Sequence, residues 1–364
     1  MHQNPPQTKV LKTVIVGRKN SLDTIKELES LLATLDIRTE LIFIVQMHKP
    51  DARNYLTKGK LNELQLYVQN GSVDVISVDD ELKFSQIRNL QKTCQVPVLD
   101  RPRIILEIFS KRAHTKEGQI QVEIATLQRR KAELINQQSS LDQQAGFIGG
   151  KGPGEKKIEL NRRQLLQRLK KLKNALQQIE KQRFTKRNKR ISSSLFIVSL
   201  VGYTNAGKST LFNCLTKEDL PTDNLLFHTL DTRTRKGFLS PSMGEVLFND
   251  TVGFIRKLPH ELIEAFKSTL EEILLSDLIL KVIDVSDKQC LHHYETVNET
   301  LQDLGADTIP SMIVLNKMDA IHPDISLDPF LSDSSEPLIQ ISALQNKGIE
   351  DLKSAIQKKI LSIP

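Results

Sequence analysis

Eight consecutive residues, Gly202-Tyr203-Thr204-Asn205-Ala206-Gly207-Lys208-Ser209, follow the apolar run 195–201 and precede the helix-like segment 210–215. Glycines at this spacing turn successive backbone N–H groups toward phosphate oxygens, and a following helix adds its N-terminal dipole. Lys208 is placed to reach the β- and γ-phosphates of a nucleotide. The Ser209 hydroxyl, followed by Thr210, is placed to ligate Mg²⁺. Asp250-Thr251-Val252-Gly253 comes 42 residues after Lys208, behind a strand-like run at 246–249. Asp250 would hold the metal through a bound water, and the Gly253 N–H would sense the γ-phosphate. Between these motifs lies Phe227-His228-Thr229-Leu230-Asp231, where a first switch belongs. Thr229, 20 residues after Ser209, would ligate Mg²⁺ and the γ-phosphate in the triphosphate state only. Lys208, Thr229 and Gly253 stand nearest to the hydrolytic step.

Asn316-Lys317-Met318-Asp319 lies another 66 residues on, after the apolar strand 311–315. The Asp319 carboxylate can accept from both guanine N1–H and N2–H₂. Adenine lacks those donors, and sites built on this logic discriminate by ~10⁴-fold or more. Lys317 would lie along the base plane and Asn316 would tie this loop to the phosphate loop. In Ser342-Ala343-Leu344, the Ala343 N–H would meet guanine O6. One phosphate-loop match alone has false positives; four elements in this order specify GTP. Phe254 follows Gly253 where Ras-type enzymes carry the Gln that orients the attacking water. Its ring can neither donate nor accept, so the expectation is slow intrinsic hydrolysis that a partner accelerates. Asn205 occupies the place of the cation-binding Asn of potassium-stimulated GTPases, and either K⁺ stimulation or a loop-capping role is open.

The elements that must position these residues can be read from periodicity. The fold class is α/β. In residues 9–100, the runs 10–16, 39–45, 73–78 and 96–99 read as strands, and 21–35, 60–69 and 84–94 as helices. Such alternation predicts a small, largely parallel sheet, with Lys58-Gly59-Lys60 as a basic turn before a helix. From Ile104 to about Arg190 the pattern is of long helices. Leu165, Leu169, Leu172, Leu176 and Ile179 follow 4-3-4-3 spacing, a coiled-coil seam, and two such helices joined by one loop predict an antiparallel hairpin. Residues 184–194 read as a polar linker. The organisation is therefore 1–103, an N-terminal α/β subdomain; 104–190, the helical hairpin with its loop at 146–154; and 191–364, a P-loop nucleotide domain with a mostly parallel sheet flanked by helices.

Charge is distributed unevenly along the chain. Residues 1–150 hold 21 Lys/Arg against 17 Asp/Glu, residues 151–190 hold 15 against 3, and residues 191–364 hold 15 against 24. The basic block either meets a polyanion such as RNA or is the solvated face of a long helix. Five glycines fall within 146–154, beside Lys151, Lys156 and Lys157 and ahead of Arg162 and Arg163. A simple turn needs one or two. The loop is either ordered by a phosphate-rich partner or a tip without fixed structure.

No apolar run approaches the ~20 residues of a membrane span, and the start lacks a secretory signal. Cys94, Cys214 and Cys290 match no metal spacing. A reduced, cytoplasmic setting is the expectation.

These motifs, with Gly152-Pro153-Gly154-Glu155, Arg162-Arg163, Asp250-Thr251-Val252-Gly253-Phe254-Ile255-Arg256 and Leu258-Pro259-His260, resemble the HflX family of bacterial GTPases over nearly the whole chain. The resemblance implies an enzyme that binds the large ribosomal subunit and its rRNA, and splits or rescues ribosomes under stress; a monomer is the separate expectation for its assembly. A GTP-licensed assembly factor for that subunit is the alternative. A GTP-gated protein adaptor with no RNA role is a third. Some relatives are reported to hydrolyse ATP through the N-terminal region, where no motif here marks a site. Two departures stand out. Residues 156–161 read Lys-Lys-Ile-Glu-Leu-Asn where relatives carry Thr-Gln-Leu-Glu-Thr-Asp, and some relatives continue into a further C-terminal domain beyond the position of Pro364.

Overall fold

The computed structural model describes residues 10–144, 153–191, 195–218, 226–227, 232–257, 272–322, 325–332 and 336–363, with the backbone alone at 136–144, 153–158, 180, 182–191 and 331–332. It forms two compact units, one of residues 1–111 with 125–170, the other of 112–124 with 171–364.

The first unit opens with β1 (Leu11–Arg18), α1 (Leu22–Thr34), β2 (Ile37–Val45), α2 (Lys58–Asn70), β3 (Val75–Val78), α3 (Phe84–Cys94), β4 (Val98–Asp100) and α4 (Arg101–Arg112). Its sheet runs β2-β1-β3-β4 with every pair parallel, as the strand–helix alternation predicts. A strand buried on both faces reads as a continuous apolar run, and Val14-Ile15-Val16 of β1 are all buried. Val14 and Val16 join Leu61, Leu64 and Val68 of α2 and Leu90 of α3 in one core. Ile25, Leu28, Leu31 and Leu32 form the buried stripe of α1. Gly17 lets α1 lie close, since a Cβ there would sit 2.3 Å from Ile25 Cδ1. Lys58-Gly59-Lys60 is not a turn before α2 but its first turn, because Thr57 is the N-cap.

At the carboxyl ends of these strands the charged side chains satisfy one another. The Arg101 guanidinium, 1% exposed, reaches Asp79 at 2.7 Å, the Thr24 carbonyl at 3.1 Å, and Glu27. Asp80 accepts from Arg18 at 2.9 Å and from the Tyr55 hydroxyl at 2.7 Å. Asp100 takes Arg129 at 2.6 Å.

Two long helices follow, α5 (Lys116–Gln144) and α6 (Pro153–Ile191). Leu165, Leu169 and Leu172 of the seam are buried, and Leu176 and Ile179 half-buried. Arg162, Arg163, Arg168, Lys170, Lys171 and Lys173 are exposed. The sequence reading of a linker from residue 184 is corrected: α6 continues to Ile191. Its Lys- and Arg-rich end holds no Gly or Pro to stop a helix, and those residues are good helix formers. No helix among the described residues is long and apolar enough to cross a membrane.

The second unit carries β5 (Ile197–Gly202), α7 (Lys208–Thr216), β6 (Arg233–Ser240), β7 (Gly244–Asp250), β8 (Leu278–Asp284), α8 (Cys290–Asp303), β9 (Ser311–Asn316), α9 (Asp328–Ser332), β10 (Leu338–Gln340) and α10 (Ile349–Leu361). The sheet order is β10-β9-β8-β5-β7-β6, and only β6 runs antiparallel. Alternation along β5 sends Val198 and Leu200 into a core with Phe212 of α7 and Leu352 and Ile356 of α10. Val201 packs on the opposite face with Val297 and Leu301 of α8. Ligands of open α/β sheets bind at the carboxyl ends of the strands, and the phosphate loop, Asp250–Gly253, Asn316–Asp319 and Ser342–Leu344 lie at the ends of β5, β7, β9 and β10.

Candidate functional site

The phosphate loop begins where β5 meets β8 too closely for any side chain. A Cβ on Gly202 would lie 2.3 Å from the Val282 carbonyl oxygen. The loop then turns through two left-handed residues, Asn205 at φ +62° and Gly207 at φ +87°, a region favouring Asn and Gly. Helix α7 starts at Lys208 with Gly207 as its N-cap. The Lys208 side chain is 6% exposed, and its ammonium donates to the carbonyls of Tyr203 at 2.8 Å and Gly202 at 3.2 Å. Burial lowers its pKa to about 8, against the pull of the nearby Asp250 carboxylate. A desolvated ammonium held by neutral carbonyls gains strongly from an anion placed beside it.

Strand β7 delivers Asp250 to α7. The Ser209 hydroxyl donates to Asp250 Oδ2 at 2.9 Å, so a hydroxyl and a carboxylate, the hard oxygen donors Mg²⁺ takes, already meet. Thr251 is pinned by its hydroxyl to the Leu200 carbonyl at 2.7 Å. Gly253 lies against the phosphate loop: a Cβ there would be 2.8 Å from Thr204 Cα and 3.0 Å from Lys208 Nζ. Beyond it the chain is bonded to the loop, Thr204 N–H donating to Phe254 O at 2.8 Å and Phe254 N–H to Gly202 O at 3.1 Å. The Phe254 ring, 2% exposed, is packed among Val201, Ile273, Ile279, Val297 and Leu301. The position that carries the water-orienting Gln in Ras-type enzymes is therefore a core position here.

At the base end, the Asn316 amide donates from Nδ2 to the Ala206 carbonyl at 2.9 Å, and its Oδ1 accepts the Ala343 N–H at 3.0 Å. The first bond is the tie expected from the sequence. The second differs from expectation, since the Ala343 N–H assigned to guanine O6 is here given to Asn316. The Ser342 hydroxyl donates to Asp319, orienting the carboxylate. Lys317 pairs with Asp284 Oδ2 at 2.6 Å. Met318, Asp319, Ile341, Ser342, Gln345 and Lys347 line a cleft of about 250 Å³.

The structure thus brings together Gly202 through Ser209, Asp250 through Gly253, and Asn316 with Ser342 and Ala343. Thr210 continues α7, Met318 is half-buried and Leu344 is exposed. Phe227 is buried, while His228, Thr229, Leu230 and Asp231 lie outside the described residues, as does Lys151. Lys156 and Lys157 fall in α6 with their side chains outside that set; Arg162 and Arg163 are exposed on it. Sequence reasoning missed Asp284 and His293. Asp284 ends β8, and a carboxylate at the carboxyl end of an apolar strand was the available signal. His293, stacked on Tyr203 with ring centroids 3.9 Å apart, gave none.

Comparison with known proteins adds three regions of similarity. Residues 22–110 match the family described as GTP-binding GTPase N-terminal, 112–190 the GTP-binding GTPase middle region, and 197–317 the 50S ribosome-binding GTPase. The chain is 40% identical to "GTPase HflX" of Caldanaerobacter subterraneus over 97% of its length and 80% of that protein's. It is 36% identical to "GTPase HflX" of Escherichia coli K12, over 96% and 82% respectively. A solved structure, SsGBP in complex with GDP, superposes with a TM-score of 0.53 at 24% identity, over 96% of this chain and 98% of that one, a likeness of fold.

Proposed function

The chain belongs to the HflX family of GTPases, and on that footing we propose that it hydrolyses GTP while bound to the large ribosomal subunit and uses the triphosphate state to separate or rescue ribosomes. The observation that carries the nucleotide half of this reading is Asn316. It joins the phosphate loop to the loop of Ser342 and Ala343, so base and phosphates are read by one connected frame.

Within that frame each residue has a distinct task. Asp319, held by Ser342, accepts the guanine N–H donors. The loop amides and Lys208 hold the β- and γ-phosphates. Ser209 directly and Asp250 through water would hold Mg²⁺, whose charge offsets that of the phosphates; Thr229 completes the set in the GTP state. The Gly253 N–H reports the γ-phosphate, and its loss on hydrolysis releases the switches. No side chain at position 254 can orient water, since that ring is in the core, so hydrolysis waits for a group or a rearrangement supplied by the partner. K⁺ at Asn205 belongs to the same proposal and is tested by rates in KCl against NaCl.

The ribosomal half is supported by the family similarity of residues 197–317 and by the exposed Arg162, Arg163, Lys170 and Lys171 of α6. An exposed basic row contacts phosphates, so affinity falls steeply with salt. The reading places the protein in the cytoplasm, acting as a monomer. Sedimentation of intact ribosomes through sucrose gradients tests it, with GTP, GDP or a non-hydrolysable analogue present. Co-migration with the large subunit and loss of the intact-ribosome peak with the analogue are expected. Co-migration without separation favours the assembly role, and no co-migration in any nucleotide state overturns the proposal.

A further inference from the structure

Tyr203 occupies a phosphate-loop position that the GxxxxGK[ST] pattern leaves open to any residue. Yet its side chain is 6% exposed and engaged on two sides. The hydroxyl accepts the Arg256 backbone N–H at 3.0 Å. The ring lies on His293 of α8, with an interplanar angle of 12°. Its own backbone accepts Lys208 Nζ and pairs as a parallel bridge with Phe254. One residue therefore touches the phosphate-binding lysine, the chain just after Gly253, and the helix behind it.

The geometry limits what Gly253 can do. Phe254 and Ile255, both buried, separate it from Arg256. A segment this short and this packed cannot change its register at Gly253 while Arg256 stays fixed. We propose that Tyr203 is a positioning residue: by holding the Arg256 amide with its hydroxyl and resting its ring on His293, it sets the Gly253 N–H at the height of the γ-phosphate. This rests on the reading that Gly253 meets that phosphate. The stack suits the role because burial keeps His293 neutral, its pKa lowered to about 4, so two uncharged rings form the support. Packed aromatic rings contribute beyond the area they bury.

The experiment uses the full chain and three measurements: GDP affinity, the GTP-to-GDP affinity ratio, and kcat with KM for ribosome-stimulated hydrolysis. Tyr203→Phe keeps the ring and removes the hydroxyl. It is expected to leave GDP affinity within about twofold, and to lower the GTP-to-GDP ratio and kcat each by about fivefold, the worth of one hydrogen bond. His293→Ala removes the support and shifts both quantities in the same direction, and His293→Phe restores most of the loss. Wild-type kcat and ratio in Tyr203→Phe overturn the proposal. So does a lowered melting temperature with both quantities unchanged, which marks a merely structural tyrosine. Gly253→Ala separates the two ideas. If that variant binds and hydrolyses GTP normally, the underlying γ-phosphate reading fails; if it loses both while Tyr203→Phe is normal, only the tyrosine proposal fails.

Discussion

Asn316, at the end of β9, is joined to Ala206 in the phosphate loop by a 2.9 Å bond from its side-chain amide to the Ala206 carbonyl. These residues are 110 positions apart in the chain, and both are buried. Asn316→Ala leaves the Ala206 carbonyl and the Ala343 N–H without their partner, and each such buried group costs about 1–3 kcal/mol. Affinities for GDP and GTP are expected to fall together, by at least about tenfold, in a titration with a fluorescent nucleotide. Unchanged affinity for either would show that the tie contributes nothing to binding.

The hydroxyl of Ser342 fixes Asp319, so the chemistry of position 319 decides the base. A carboxylate accepts from guanine N1–H and N2–H₂. In Asp319→Asn, the amide nitrogen can instead donate to the 2-oxo group of xanthine. The variant is expected to lose about two orders of magnitude of GTP affinity and to gain affinity for xanthosine triphosphate. Competition binding between the two nucleotides checks this, and retained guanine preference would place recognition elsewhere.

At the end of the N-terminal sheet, the Arg101 guanidinium lies between Asp79, at 2.7 Å, and Glu27. Desolvation opposes its charge, but those carboxylates outweigh it and raise the guanidinium pKa. Removing one partner of a buried ion pair strands the others, at about 3–5 kcal/mol. Arg101→Ala is expected to lower the urea midpoint of the N-terminal unit correspondingly. A shift under about 1 kcal/mol would mean that water replaces the guanidinium.

His293 supplies a pH dependence. Its folded pKa is near 4, below the ordinary 6.5, so between these values the unfolded chain binds the extra proton. Stability then rises with pH across this window, and acidification from 6.5 toward 4 removes up to about 3 kcal/mol. Burial is the first cause; Asp287 and Asp284 oppose it, and Arg256 and His292 reinforce it. Thermal melts from pH 4 to 7 should show a shallower slope in His293→Phe than in the parent chain. Equal slopes would assign the acid sensitivity to other groups.

Much of this molecule was legible in its residues, for identifiable reasons. Helix α3 was read at its observed bounds and α1 to within a residue, because apolar spacing of 3 and 4 leaves one solution. The phosphate-loop, Asp250 and Asn316 motifs were legible because backbone geometry around a phosphate admits few residue types. Strand β1 was read as ending at Val16 but continues to Arg18. Gly17 looks like a stop, yet it is what admits Ile25. The polar end of α6 looked like a linker because composition does not reveal whether a charged helix is supported. The placement of Phe254 in the core, and of Tyr203 against His293, depends on contacts with α8, which starts 36 residues beyond Phe254 and 87 beyond Tyr203, and no local pattern encodes that.

At the carboxyl ends of the N-terminal sheet, Arg18 joins the tip of β1 to Asp80 after β3, Arg101 joins Asp79 to Glu27 of α1, and Arg129 of α5 joins Asp100 of β4. Each pair fastens one element to another and not to itself. A substitution at any one of these arginines therefore loosens at least two elements of the unit at once.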